Sequence, residues 1–507
     1  MPEVAMSTPT SVEAVLATRS AVCINPDPSR VIAKLFVPGE EVPEFESRTA
    51  AVITRVLSLS EDQVDDTLAR TLESFEGRHR DLRGIFAGHF ETISHRIPRE
   101  LRVSASRRLL IGAYFTHEYA IEGAALCNPS MVAHPDQDGL AQDQTRFALS
   151  ARAIGEGHLS CIELRTGVVG PGTEITLDPM TSVAVLGHAR PPEYDRRLFE
   201  AVLSAHADDD EVAAFLHRNL PPRFTAADLD RTLGDLPPGL TPRRGTHRTI
   251  ERVQWIAACT YDLEFPPDTQ LSERVLWPTG PTERHGMEDA RFVRFTDDEG
   301  VASYYATYTA FDGSMVTPQR LHTTDFRLFH ATQLSGPAAA NKGMALFPRK
   351  VGGQYLALSR WDRESTSITT SPDNQTWNTP VTIQTPVSSW ELTQIGNCGS
   401  PIETEDGWLV LTHGVGPMRT YCIGAVLLDL ENPQRVIARL AEPLISPDAQ
   451  ERDGYVPNVV YSCGAMRHRD TLFIPYGTSD NAIHFATVPV PALLRRMHRV
   501  PSEGLGE

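Results

Sequence analysis

Two patterns of apolar and polar positions divide the chain. Up to about Leu126 the apolar residues recur at helical intervals. Ser60 and Gln63 have the spacing of a capping box, and the following VDDTLARTLESF carries its apolar residues on one helical face. The proline-free run SASRRLLIGAYFTHEYAIEGAAL, Ser104 to Leu126, predicts another helix. From Asn128 onward short β-rich runs alternate with Gly, Asp, Asn and Pro. Residues 190–245 break that texture: EYDRRLFEAVLSAHADDDEVAAFLHRNL, Glu193 to Leu220, is helical in pattern and leads into Pro- and Arg-rich connections. The expected organisation is a helical N-terminal region over 1–126, then a β domain over 127–507 carrying a helical insertion at 190–245.

The β-rich part repeats. Five segments superpose: RFALSAR ending at Arg152, YYATYTA at Ala310, YLALSRW at Trp361, WLVLTHG at Gly414 and TLFIPYG at Gly477. Each is preceded by one short strand (PSMVAHP, DARFVRF, MALFPRK, SPIETED, NVVYSCG) and followed by another. Five copies of a meandering antiparallel unit predict a mainly β fold, a five-bladed β-propeller. Equivalent positions then face one funnel. The ends of the second strands supply Arg152, Thr309, Arg360, His413 and Tyr476; the starts of the first supply Asn128, Asp289, Lys342, Asn397 and Asn458.

Asp289 is the sole carboxylate among these ten positions, while Arg152, Lys342, Arg360 and His413 read as a cationic set. Its neighbour Glu288 is the weaker candidate, because successive strand residues point to opposite faces. An acid beside cations is also what an ordinary structural ion pair looks like. Four cations aimed into one channel, however, repel one another unless an anion joins them, which points to a phosphate, sulfate or carboxylate ligand. Inverting glycosidases need one carboxyl to protonate the leaving oxygen and a second to activate water. With an anion pocket in place of the second carboxyl, inorganic phosphate can be the nucleophile and no base is required.

Charge sharpens this reading. The 507 residues carry a formal net charge of −18, which disfavours nucleic acid and anionic membranes as partners, so a local excess of cations runs against the global balance. No apolar run approaches the roughly 20 residues of a membrane span, and MPEVAMSTPTSVEAV lacks the regions of a signal peptide, so a cytoplasmic location is expected. Seven cysteines without a CxxC pair read as buried thiols, and no compact His and carboxylate spacing calls for a metal.

The motifs GMEDAR, NKGMALFP, LSRWD, QIGNCGSPIETEDGWLVLTHGVG and IPYGTSDNAIHFA resemble glycoside hydrolase family 130, from about Asn128 to Met497 apart from the insertion. The resemblance implies a five-bladed propeller acting on β-mannosides, mostly by inverting phosphorolysis and in some members by hydrolysis. It implies that Asp289 is the general acid, acting through a sugar hydroxyl; that Arg152, Lys342, Arg360 and His413 bind phosphate; that Asn128 and Ser130 lie near them; and that Tyr476 and Asp480 contact sugar. No cofactor is implied, phosphate being a co-substrate. Two positions depart from the family pattern: Ala290 replaces the usual proline after the acid, and Gln394 stands where phosphorylases usually have lysine.

Three functions therefore stand: a β-mannoside phosphorylase releasing α-mannose 1-phosphate, an inverting β-mannosidase with Glu391 or Glu403 as base, and a noncatalytic sugar-binding propeller. The last would require neither Asp289 nor the cations. The helical region and the insertion are expected to build an acceptor-side wall or a homo-oligomer contact.

Overall fold

The computed structural model describes residues 16–38, 47–204 and 210–500; the N-terminal stretch examined for a signal peptide, 1–15, lies outside them. The protein is mainly β, with helices in the N-terminal region and the insertion. Among the described residues no helix is long and apolar enough to cross a membrane.

Five antiparallel four-stranded meanders follow the repeats. The first comprises Ala125–Ala133, Thr145–Ile154, Ser160–Val169 and Ile175–Leu177. The second comprises Gly286–Thr296, Ala302–Phe311, Val316–Thr323 and Leu328–Gln333. The third runs through Ala345–Leu346, Tyr355–Ser359, Thr366–Ser371 and Val381–Gln384. Gln394–Asn397, Gly407–Val415, Tyr421–Leu428 and Val436–Arg439 form the fourth. The fifth takes Val460–Tyr461, Thr471–Thr478 and Ala482–Pro489 from the C-terminal end and its outer strand, Thr18–Ile24, from the N-terminal end.

Apolar faces pair the meanders in sequence. Ala148 and Ile162 of the first pack with Phe292 and Tyr304 of the second. Phe295 meets Leu346 across the second and third, Leu358 meets Trp408 across the third and fourth, and Leu411 meets Ile474 across the fourth and fifth. Phe473 and Phe485 of the fifth then share a core with Phe147 and Leu149 of the first. Because each unit is covered on both faces, a second strand such as GWLVLTHGV is buried along its whole length and reads as a continuous apolar run.

The N-terminal region is not helical throughout. Helices α1 (Arg48–Leu57), α2 (Glu61–Phe75), α3 (Leu82–Ile93) and α4 (Ala105–Tyr114) enclose their own core, and α2 carries the expected capping box. The helix anticipated from Ser104 to Leu126 stops at Tyr114. Phe115, Tyr119 and Ile121 are buried on one side of an extended segment, and Thr116–Ala120 pairs with Val31–Leu35 as a two-stranded ribbon. Gly112 lets α4 pack closely, since a Cβ there would lie 1.9 Å from the Phe86 carbonyl oxygen. The insertion also extends beyond 245. It contains α5 (Arg196–Ser204), α6 (Asp210–Asn219), α7 (Ala226–Gly234) and α8 (Arg244–Ala258), closed around Phe199, Leu203, Leu216, Phe224 and Ile256.

A buried charge cluster ties the N-terminal segment to the first meander. Arg30 Nε lies 3.2 Å from both Glu122 Oε1 and Glu163 Oε2, and Arg165 pairs with the same two carboxylates. Arg30 also donates to the Thr181 and Ser272 carbonyls at 2.8 and 3.1 Å. Removing one member of such a buried set leaves charge uncompensated, which costs about 3–5 kcal/mol. Arg30→Ala is therefore expected to lose stability of that order in urea unfolding of the full chain; a loss under about 1 kcal/mol would show that the cluster does not anchor this segment.

Candidate active site

The first strands of the first two meanders carry the same irregularity. Pairing shifts between Cys127 and Ser130 in one and between Glu288 and Arg291 in the other, and the residues at these bulges, Asn128 and Asp289, have φ of +50° and +57°. Among residues other than glycine, left-handed backbone is tolerated best by Asn and Asp, whose short polar chains bond locally. The repeat alignment of Asn128 with Asp289 thus has a structural counterpart. In the third meander the left-handed residue is Asn341, with φ of +59°, one position before Lys342.

The bulge corrects the expectation for Glu288. Strict alternation fails where an extra residue enters a strand, so Glu288 and Asp289 both face Arg152. Arg152 NH2 donates to Glu288 Oε1 at 2.6 Å, and its NH1 lies 3.7 Å from Asp289 Oδ1. Lys342 Nζ pairs with the other Glu288 oxygen, and the Asn128 amide donates to Asp289 Oδ1. A further cation missed in the sequence, Arg291, holds this corner from behind. It donates to the Asp289 carbonyl at 3.0 Å, the Tyr461 hydroxyl at 2.9 Å and the Cys398 carbonyl at 3.2 Å. The Arg in GMEDAR was the available signal.

Electrostatics separate two nearby carboxyls. Burial alone would raise the pKa of Asp289, but Lys342, Arg152 and Arg291 hold it down at about 2. Asp480, in a left-handed turn with φ of +48°, is pushed up to about 6 by burial and then by the Asp289 charge.

His413 is not a fourth cation. Burial, reinforced by Arg360 and Arg291, lowers its pKa well below the ordinary value, so the ring is neutral. Arg360 NH1 donates to its Nε2 at 2.6 Å, while Arg360 Nε has no hydrogen-bond partner and no carboxylate pairs with this guanidinium among the described residues. Gly396 permits the approach: a Cβ there would sit 2.5 Å from Arg360 Cδ and 2.7 Å from His413 Cε1. This accounts for the glycine of QIGN.

Other anticipated residues lie differently. Ser130 is fully buried, its Oγ accepting from the Phe292 amide at 3.0 Å, so it staples two first strands together. Tyr476 is fully buried in the core shared by the fourth and fifth meanders, and its hydroxyl donates to Glu451 at 2.8 Å. Of the two carboxylates considered as a hydrolytic base, Glu391 Oε1 accepts the Val387 and Ser388 amides at 3.2 and 3.0 Å within its own turn. Glu403 pairs with Arg349 at 2.5 Å on the surface.

A cavity of about 1070 Å³ opens beside the charge cluster. Lys342, Arg360 and Gln394 line it together with Arg252 and Trp255 of α8. Asp289, Arg152 and His413 are not among its lining residues. Lys342 and Arg360 therefore connect the buried cluster to open space.

Comparison with known proteins adds the following. The family model for glycoside hydrolase family 130, described as beta-1,4-mannooligosaccharide phosphorylase, matches residues 268–499. A 1,2-beta-oligomannan phosphorylase of Thermoanaerobacter sp. (strain X514) is 36% identical over 226 residues, 43% of this chain and 73% of that protein. The Beta-1,2-mannobiose phosphorylase of the same strain is 36% identical over 41% of this chain and 68% of that protein. The Beta-1,4-mannooligosaccharide phosphorylase of Ruminococcus albus is 33% identical over 45% of this chain and 70% of that protein.

The depressed Asp289 pKa has a consequence for stability. A carboxyl held at about 2 when folded, against about 3.9 when unfolded, stabilises the fold above about pH 4 and loses that contribution as pH falls through 2. The stability difference between wild type and Asp289→Asn should accordingly level off above the pKa of Asp480 at about 6, whose titration the Asp289 charge also shifts, and should move against wild type as pH falls below 4. Urea unfolding across that range checks the sign; a difference independent of pH would contradict the ionised assignment.

Proposed function

The chain belongs to glycoside hydrolase family 130, and we propose from that membership and from the site that it is an inverting β-mannoside phosphorylase whose five meanders are the blades of a propeller. The shared core between the fifth meander and the first, with Thr18–Ile24 completing the fifth, supports that arrangement. One observation carries the choice of phosphorolysis: Arg360, lacking a carboxylate, stands with Lys342 at the inner end of the cavity, while Glu391 and Glu403 are occupied elsewhere. A cytoplasmic location fits a reaction that consumes inorganic phosphate, and no cofactor is needed.

In the proposed reaction a phosphate oxygen attacks the anomeric carbon from the face opposite the glycosidic oxygen. The carbon–oxygen bond to the aglycone breaks, and the departing oxygen takes a proton supplied by Asp289 through a sugar hydroxyl. The product is α-mannose 1-phosphate. Asp289 is ionised, because cations surround it. Phosphate bound between Arg360 and Lys342 offsets part of that field, raising the Asp289 pKa and making the proton available when the nucleophile is present. His413, as a neutral ring, orients Arg360 by accepting its NH1. Asn128 holds the Asp289 carboxylate, and Ser130 and Tyr476 support the scaffold.

Hydrolysis remains a second reading on one ground. Asp480 is a second carboxyl within the field of Asp289, and an inverting hydrolase requires such a pair.

Product analysis decides between the readings. Phosphate-dependent formation of mannose 1-phosphate is expected, with Asp289→Asn slowing it about 10²- to 10⁴-fold while circular dichroism stays unchanged; free mannose released equally with and without phosphate would overturn phosphorolysis. At Gln394 the cavity wall has an amide where phosphorylases usually have lysine. Gln394→Lys is expected to lower the Michaelis constant for phosphate by about tenfold, through one charge-assisted contact. An unchanged or raised value would place the phosphate elsewhere.

A further inference from the structure

Two residues of the large cavity's wall, Arg252 and Trp255, lie outside the family match, which spans 268–499. Helix α8 presents Trp255 there, with the Arg252 guanidinium carbon 5.1 Å from the indole centroid. Across the cavity Arg363 donates to Asn341 Oδ1 at 2.8 Å. Neither Arg252 nor Arg363 has an ion-pair partner among the described residues. The one lining acid, Asp312, accepts the Ser314 and Met315 amides at 2.8 and 2.7 Å and is fixed within its own turn. Gln333, only 6% exposed, lines the same space.

These features ask for a ligand of specific chemistry. An indole edge and cavity walls of proline, alanine and leucine suit the apolar face of a sugar ring. Two guanidiniums without counter-charges, in a protein of net charge −18, suit an anionic substituent on that sugar. At about 1070 Å³ the cavity exceeds the roughly 300–1,000 Å³ of ordinary small-ligand sites, so it holds more than one residue of a glycan.

We propose that Arg252, Trp255, Gln333 and Arg363 form a distal acceptor subsite for a sugar bearing a carboxylate or phosphate group, so that the aglycone this enzyme releases, or accepts in reverse, is acidic. This rests on the phosphorylase reading for its chemistry, though not for its binding. In the synthetic direction the bond from the mannose anomeric carbon to phosphate oxygen breaks and one to the acceptor oxygen forms. The acceptor proton passes to Asp289, and inorganic phosphate leaves.

The test uses the full chain with α-mannose 1-phosphate and three acceptors: a neutral hexose, a hexuronic acid and a hexose 6-phosphate. At least one acidic acceptor is expected to exceed the neutral one in kcat/KM by about tenfold or more, the contribution of one charge-assisted hydrogen bond. Which acidic arm responds identifies the substituent. Arg252→Met should remove most of that preference and Arg252→Lys should restore part of it. A wild-type preference at or below one for both acidic acceptors, or an Arg252→Met effect equal for all three, overturns the proposal. Titration calorimetry with the acidic acceptors alone reads the site without turnover: binding weakened by Arg252→Met supports it, and binding absent from wild type or unaffected by the substitution overturns it. Should no acceptor be mannosylated while that binding persists, the phosphorylase reading fails and the subsite stands.

Discussion

The site depends on one guanidinium held between two adjacent carboxylates. Arg152 reaches both Glu288 and Asp289 because the strand carrying them bulges and Asp289 adopts a left-handed backbone. In a regular strand one of the two would face the apolar core behind it, where an unpaired charge is strongly disfavoured. Arg291 bonds the Asp289 carbonyl from behind and Asn128 bonds its side chain from the facing bulge, so the irregular backbone is held at both ends. Lys342 then joins through Glu288, and the cavity opens next to Lys342.

Much of this organisation is legible in the residues. The repeat of five β segments matches the five meanders, since buried second strands keep a continuous apolar signature. What escaped has a physical cause in each case. The strand Thr18–Ile24 joins a sheet whose other strands lie more than 400 residues away, and nothing local announces such a partner. Thr116–Ala120 continues a helical pattern, and with Tyr119 its one buried residue it shows no alternation of its own. Glu288 was misdirected by a rule that holds for unbulged strands only. His413 occupies a repeat position equivalent to that of Arg152, but its charge state is set by burial and by Arg360, neither of which a sequence displays. The position of Tyr476 in its repeat says nothing of Glu451, which engages its hydroxyl.

Charge balance distinguishes two places in the cluster. Glu288 and Asp289 face Arg152 and Lys342, and Arg291 is buried against carbonyl and hydroxyl oxygens, whereas Arg360 has a neutral imidazole on one side and an open cavity on the other. The glycine at 396 admits that close guanidinium–imidazole contact, in which a neutral acceptor leaves the full positive charge available to a ligand.

Arg360 and Lys342 are proposed to form an anion site before any sugar arrives. Titrating the intact protein with inorganic phosphate in the absence of sugar, followed by phosphorus NMR, tests it directly. Saturable binding that weakens with added salt and is lost in Arg360→Met is the predicted result. Absence of saturable binding, or binding of equal strength in Arg360→Met with its fold intact, would contradict it.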